Sequence, residues 1–231
     1  MKNPHEQHIR VGRYLKDVIY GATDGIIASF AVVAAGIGGS FSASVLLVIG
    51  GAELFAEALS MASANYLGTR SEQDFYDKEE AEEWQEVRER PEDERREVRD
   101  ILAAKGYSGR DLEEMTRLII SRPQFWIDFM MHEELGMQAP AIGHAPRSAI
   151  VTFVSFVIAG SIPLVPYVFL GAATPFMLVA TGTGVALFIL GALRVYFSKK
   201  SWLILGFEML AIGGLAALIA YGISALIKLL V

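Results

Sequence analysis

Glu53, Glu57 and Met61 recur at four-residue intervals within an apolar run that starts at Val45. An α-helix places these two carboxylates and the thioether on one face, one turn apart. Asp24 lies in the apolar segment that precedes them. Ionisable groups at membrane depth are costly and mark ion or proton pathways. The plainer alternative has these carboxylates at helix ends, reaching out to water. It fits Glu53 and Glu57 less well, because apolar sequence continues on both sides of them.

A second set of candidate ligands is spread over a polar stretch. Glu79, Glu83 and Glu86 share one helical face before Pro91, and Glu94 and Glu97 follow at i, i+3. Met130, Met131 and Glu134 come later, in a segment that Gly136 closes. A shell mixing oxygen and sulfur suits Fe2+, Mn2+, Co2+ or Zn2+ better than Ca2+ or Mg2+. From spacing alone the blander reading is the better one: a charge run is a solvated face, and adjacent methionines are core packing.

Other chemistries find little support. The chain has no cysteine, so thiolate metal sites and disulfides do not arise. Its four histidines form no ligand pattern: His5 and His8 are in the polar N-terminal stretch, and His132 and His144 are isolated. A di-iron carboxylate oxidase would offer Glu-x-x-His pairs, but Phe129 and Ala141 stand three residues before His132 and His144. No glycine-rich phosphate loop is present, which argues against an ATP-driven pump. No enzymatic activity and no prosthetic group are expected. The charge pattern argues against nucleic acid: Arg70 to Arg117 holds 17 of the 26 acidic residues and 10 of the 20 basic ones.

The elements that must position these residues follow from hydropathy. Of 231 residues, 53% are hydrophobic, and Ser148 to Leu193 has no charged side chain. That stretch accommodates two membrane crossings at about 20 residues each. The expected fold is an all-α membrane protein with five transmembrane helices per subunit, near 17–37, 43–67, 148–170, 175–197 and 202–228. Pro163 and Pro166 bend or end the third. Residues 1–67 would hold the N-terminal segment and helices one and two, and 148–231 would hold helices three to five. A helical, acidic, cytoplasmic domain at 68–147 is inserted between them, with Pro91 as a break and Ser108 as a helix cap. Arg10, Arg13 and Lys16, then Arg147, then Arg194, Lys199 and Lys200 alternate with uncharged loops. This places the N-terminus and the acidic domain in the cytoplasm and the C-terminus on the far side. The Gly21-x-x-x-Gly25 pattern around Asp24 suits either packing within one subunit or a dimer that surrounds Asp24 with protein.

The chain resembles the vacuolar iron transporter family from about residue 14 to residue 228. The motifs that carry the resemblance are Tyr20-Gly-Ala-Thr-Asp-Gly25, Ala52-Glu53, Ala58-Leu-Ser-Met61, Ser71-Glu72, the Glu-rich helix and Phe129-Met-Met-x-x-Glu-Leu-Gly136. The resemblance implies a homodimer in a lipid bilayer that exports Fe2+, and other divalent metals such as Mn2+, Co2+ or Zn2+, from the cytosol in exchange for protons. The membrane would be vacuolar, another organelle's or a bacterial inner membrane. Asp24, Glu53 and Met61 match the family's pathway positions, and Glu57 shares their face. Glu83, Glu86, Glu94, Glu97, Met130, Met131 and Glu134 match its metal ligands, which reverses the blander reading of that cluster. The chain departs from the plant pattern at Glu57, where a small residue is usual, and at Asn65. Glu208 is a weaker pathway candidate. The rival functions are a metal-binding or sensing membrane protein without transport, and a metal-dependent membrane oxidase.

Overall fold

The computed structural model describes residues 4–139 and 143–230, with the side chains of 4–13 and of Phe197 left out of the description. The side chains of His5, His8, Arg10 and Arg13 therefore lie outside the described residues. Nine α-helices are found among the described residues: α1 (Pro4–Gly38), α2 (Ala43–Glu89), α3 (Pro91–Ala104), α4 (Gly109–Ile120), α5 (Pro123–Glu133), α6 (His144–Gly160), α7 (Val165–Leu170), α8 (Phe176–Leu193) and α9 (Trp202–Leu230). The chain divides into an apolar unit, Met1–Tyr66 with Ala145–Val231, and a charged unit, Leu67–His144.

Among the described residues, four helices carry segments long and apolar enough to cross a bilayer: Tyr14–Gly38, α2, Phe176–Tyr196 and α9. The pair α6 and Val165–Ala173 meets the same test as one span bent by 47°. The bend falls where Pro163 and Pro166 withdraw backbone donors, as the sequence predicts.

Two helices are longer than expected. α1 begins at Pro4, well before the predicted start at Asp17. α2 runs unbroken for 47 residues, past the predicted end at Leu67 and through Gly68. One interior glycine costs a helix only about 1 kcal/mol. The residues that follow are strong helix formers, supported by ion pairs one turn apart at Arg70–Asp74 (3.1 Å) and Lys78–Glu82 (3.0 Å). At 1.5 Å per residue α2 is about 70 Å long, more than twice a hydrocarbon core. Its apolar first half alone can be membrane-embedded, and Arg70–Glu89 lies beyond it.

The apolar unit packs Phe30, Val33 and Ala34 of α1 against Leu46, Leu54 and Ala58 of α2, Phe156 of α6, Tyr167 of α7, Val179 of α8 and Ala217 of α9. Large apolar side chains stay exposed elsewhere on it, including Phe169, Met177, Leu218 and Leu229. Such a surface suits lipid and would be a liability in water.

The Gly21-x-x-x-Gly25 face is filled from within the same chain. A Cβ at Gly25 would stand 2.5 Å from the carbonyl oxygen of Phe156 on α6, and one at Gly160 would stand 2.8 Å from the carbonyl oxygen of Gly25. Of the two readings left open by the sequence, these glycines serve packing inside one subunit. Gly25→Ala forces backbone against backbone, so about 1–3 kcal/mol of destabilisation is expected. A melting temperature in detergent equal to that of the wild type would refute this packing.

In the charged unit, Val98 and Leu102 of α3, Leu112 and Ile119 of α4, and Trp126 and Met130 of α5 form an apolar core, against which Val87 of α2 packs. Pro91 starts α3 at a position where no backbone donor is missed. Ser108 does stand at the N-cap of α4, but its hydroxyl makes no capping hydrogen bond. Gly136, at φ 65°, turns the chain just after α5.

Candidate functional site

In the charged unit the acidic site grows directly out of the apolar core. Val87, Val98 and Met130 face that core from α2, α3 and α5. One turn away from each, on the same stripe, stand Glu83, Glu94 and Glu134. On α2 and α3 the stripes that bury the apolar side chains therefore also draw Glu83 and Glu94 inward, while Glu134, just past the end of α5, is exposed. Glu83 is 5% exposed and Glu94 3% exposed, deep burial for acids in a helical surface domain.

One carboxylate oxygen from each of Glu83, Glu86 and Glu94 falls within 4.8 Å of the others. Opposed oxygen ligands of a divalent ion are about 4–5 Å apart, so the three fit one cation. Oε2 of Glu83 and Oε2 of Glu94 are buried without a hydrogen-bond partner, which leaves acceptor capacity unused. Burial, and then the charges of Glu134, Glu94, Glu86 and Glu97, push the Glu83 carboxyl up to about 7. Burial, Glu97, Glu86 and Glu134 push Glu94 up to about 7, against a smaller opposing effect of Arg90. Glu134 is raised by burial, by Glu97 and Glu86, and by a hydrogen bond with Glu97. Burial and crowding of carboxyl groups in one small region thus favour the protonated forms of Glu83, Glu94 and Glu134. Arg90 is ion-paired with Glu86 at the rim.

Met130 and Met131 are both fully buried, and Met130 belongs to the apolar core. Glu79, from the same charged run, pairs instead with Lys78 at 3.1 Å.

In the apolar unit Asp24 on α1 is half-buried, as are Glu53 and Met61 on α2, while Glu57 is exposed. Glu53 and Glu57 are within hydrogen-bonding reach of each other, and Asp24 is close enough to both to feel their charge. The three carboxylates that the sequence singled out therefore gather at one level of the α1–α2 seam. Oε2 of Glu53 is buried and unpartnered. Met61 packs at the edge of the apolar core. Glu208 stands apart, 3.8 Å from Arg194, in an ion pair between the end of α8 and α9.

A further polar group escaped the sequence reading. Asp17, 8% exposed, accepts from Nδ2 of Asn65 at 3.2 Å and from the Ser148 hydroxyl. The same Asn65 nitrogen lies 3.1 Å from Oγ of Ser148 and 2.7 Å from Oγ1 of Thr152. Register held the clue: Asp17 is seven residues before Asp24, and Asn65 is four after Met61, so each continues a stripe already singled out.

The chain is similar to known proteins over most of its length. The profile of the VIT family matches residues 15–225. Vacuolar iron transporter 1 of Oryza sativa subsp. japonica is 34% identical over 224 residues, covering 96% of this chain and 89% of the relative. Vacuolar iron transporter 1 of Arabidopsis thaliana is also 34% identical, over 96% of this chain and 90% of the relative. A vacuolar iron transporter of Toxoplasma gondii is 32% identical over 94% of this chain and 76% of its own length.

Proposed function

We propose, from the premise that this chain belongs to the VIT family, that it is a secondary transporter carrying Fe2+ out of the cytosol in exchange for protons. Mn2+, Co2+ and Zn2+ are further candidate cargoes, and the host membrane is an organellar one or a bacterial inner membrane. The observation that carries the reading is the group of Asp24, Glu53 and Glu57 on helices otherwise apolar enough for a bilayer. Such a group is expensive in lipid and is retained where a cation passes.

In this reading the charged unit faces the cytosol and collects the ion. Glu83, Glu86 and Glu94 bind it, with Glu97 and Glu134 adding negative charge and Met130 and Met131 supplying sulfur. A high density of carboxylates raises the local concentration of cations ahead of the membrane step. Within the apolar unit the ion exchanges water for the oxygens of Glu53 and Asp24 and the sulfur of Met61, which favours softer divalent ions. A carboxylate can hold a metal ion or a proton. Protons arriving from the far side, where the C-terminus lies, therefore displace the metal and reset the site.

The exposure of Glu57 supports a homodimer. The side chain is exposed on α2 at a level where the neighbouring surface is apolar, with Phe55 and Leu59 also exposed. A second copy laid against α2 would cover this carboxylate and give the pathway a protein wall on both sides.

The direct test is Fe2+ uptake by proteoliposomes with and without an imposed pH gradient. Flux that ignores the gradient would remove the exchange mechanism, and no flux would leave a binding protein. Glu57→Gln offers a finer test. It removes one proton-accepting group but leaves Asp24, Glu53 and Met61 in place, so flux should persist with a shifted dependence on far-side pH. Superimposable pH profiles would make Glu57 a spectator.

A further inference from the structure

The nitrogen of the Asn65 amide sits among three oxygens, those of Asp17, Ser148 and Thr152, at 3.2, 3.1 and 2.7 Å. An amide nitrogen carries two hydrogens, so three acceptors exceed what it can satisfy at once. The oxygens converge as they would on a cation. One of them belongs to a carboxylate more than nine-tenths buried, whose partners among the described residues, Asn65 and Ser148, are both neutral. A buried carboxyl held by neutral groups is costly to keep as a carboxylate, and a bound cation would offset that cost.

We infer that Asp17, Ser148, Thr152 and Asn65 form an additional divalent-cation site, with the Asn65 amide standing in for the ion when the site is empty. A half-turn of the amide replaces its nitrogen with its oxygen, so an arriving ion meets four oxygen donors from α1, α2 and α6. The location suits a station in transport, and in this respect the inference rests on the function proposed above. Asp17 is two helical turns before Asp24, about 10 Å along the axis, and Asn65 is one turn beyond Met61, about 6 Å. Asn65 is also almost the last residue of the apolar unit before α2 continues into the charged one. The donor set is all oxygen. It would accept hydrated, harder ions with little discrimination and leave selection to the sulfur of Met61.

The test uses the full chain, in vesicles and in detergent. Asp17→Asn preserves shape and can still accept from Ser148 and Asn65, so the fold should keep its melting temperature. Fe2+ and Mn2+ flux should both fall by about tenfold or more, since even loss of a group that only orients a metal ligand costs that much. A merely structural tie between helices predicts unchanged flux in this variant, and that result would overturn the site. Asn65→Asp supplies a second readout that does not depend on transport. It sets a second carboxylate against Asp17 and removes the stand-in nitrogen. In a Glu83→Gln, Glu94→Gln background, which removes two ligands of the charged unit, it should melt at a lower temperature in chelator and regain stability with Mn2+. The same background without Asn65→Asp should gain much less from Mn2+. Equal responses to Mn2+ in the two proteins would also overturn the site. Absence of flux in the wild type would sink the transport reading alone, because the Mn2+-dependent melting of Asn65→Asp would still report on the site.

Discussion

Asp24→Ala in reconstituted vesicles is expected to bring Fe2+ flux down to that of protein-free vesicles. Metal binding by the full-length protein should remain, because Glu83, Glu86 and Glu94 belong to the other unit. The variant should also fold. Asp24 is half-buried, alanine is the best helix former, and the close contact of α1 with α6 is made by Gly25 and its neighbours, not by the carboxylate. Replacing a residue that only orients a metal ligand costs about 10- to 100-fold, and losing the ligand itself should cost more. Near-normal flux with an unchanged melting temperature would take Asp24 out of the pathway. Lost flux together with a lowered melting temperature would point to packing.

How much of this was legible beforehand depended on whether the signal was local. The apolar spans follow from hydropathy, and the bend between α6 and α7 follows from Pro163 and Pro166. The continuity of α2 was harder to read, because Gly68 and the change from apolar to charged composition both resemble a boundary. Helix propensity and ion pairs one turn apart carry the helix across it. In the charged unit, spacing could not say which of many acids point inward. That is decided by Val87 and Val98, whose packing turns Glu83 and Glu94 inward beside Glu86. The family resemblance named these residues, but the reason for their burial appears only when three helices meet. The Asp17 group is the limiting case. Its bonds join residues 48, 83 and 87 positions from Asn65 along the chain, so register could place Asp17 and Asn65 on the right faces but could not bring them together.

The carboxyl cluster of the charged unit sets the second large expectation, which concerns stability against pH. Glu83 and Glu94 both stand at about 7 in the folded protein, against an ordinary 4.5. Between these values the folded state holds protons that the unfolded chain has released. Stability from these groups is therefore complete below about 4.5 and declines as pH rises through about 7. Without metal, the full-length protein should melt at progressively lower temperature from pH 5 to pH 8. A divalent ion replaces the missing protons, so Mn2+ should restore several degrees at pH 8 and little at pH 5, with release of protons on binding. Glu83→Gln with Glu94→Gln keeps the shape and removes both charges. It should flatten the chelator profile, melt above the wild type at pH 8 and lose most of the Mn2+ gain. The measurement is a set of melting curves in chelator and in Mn2+ across that range. A wild-type melting temperature that climbs steadily from pH 5 to pH 8 in chelator would reverse the sign of the argument. A double variant that keeps the full Mn2+ response would move the metal away from Glu83 and Glu94.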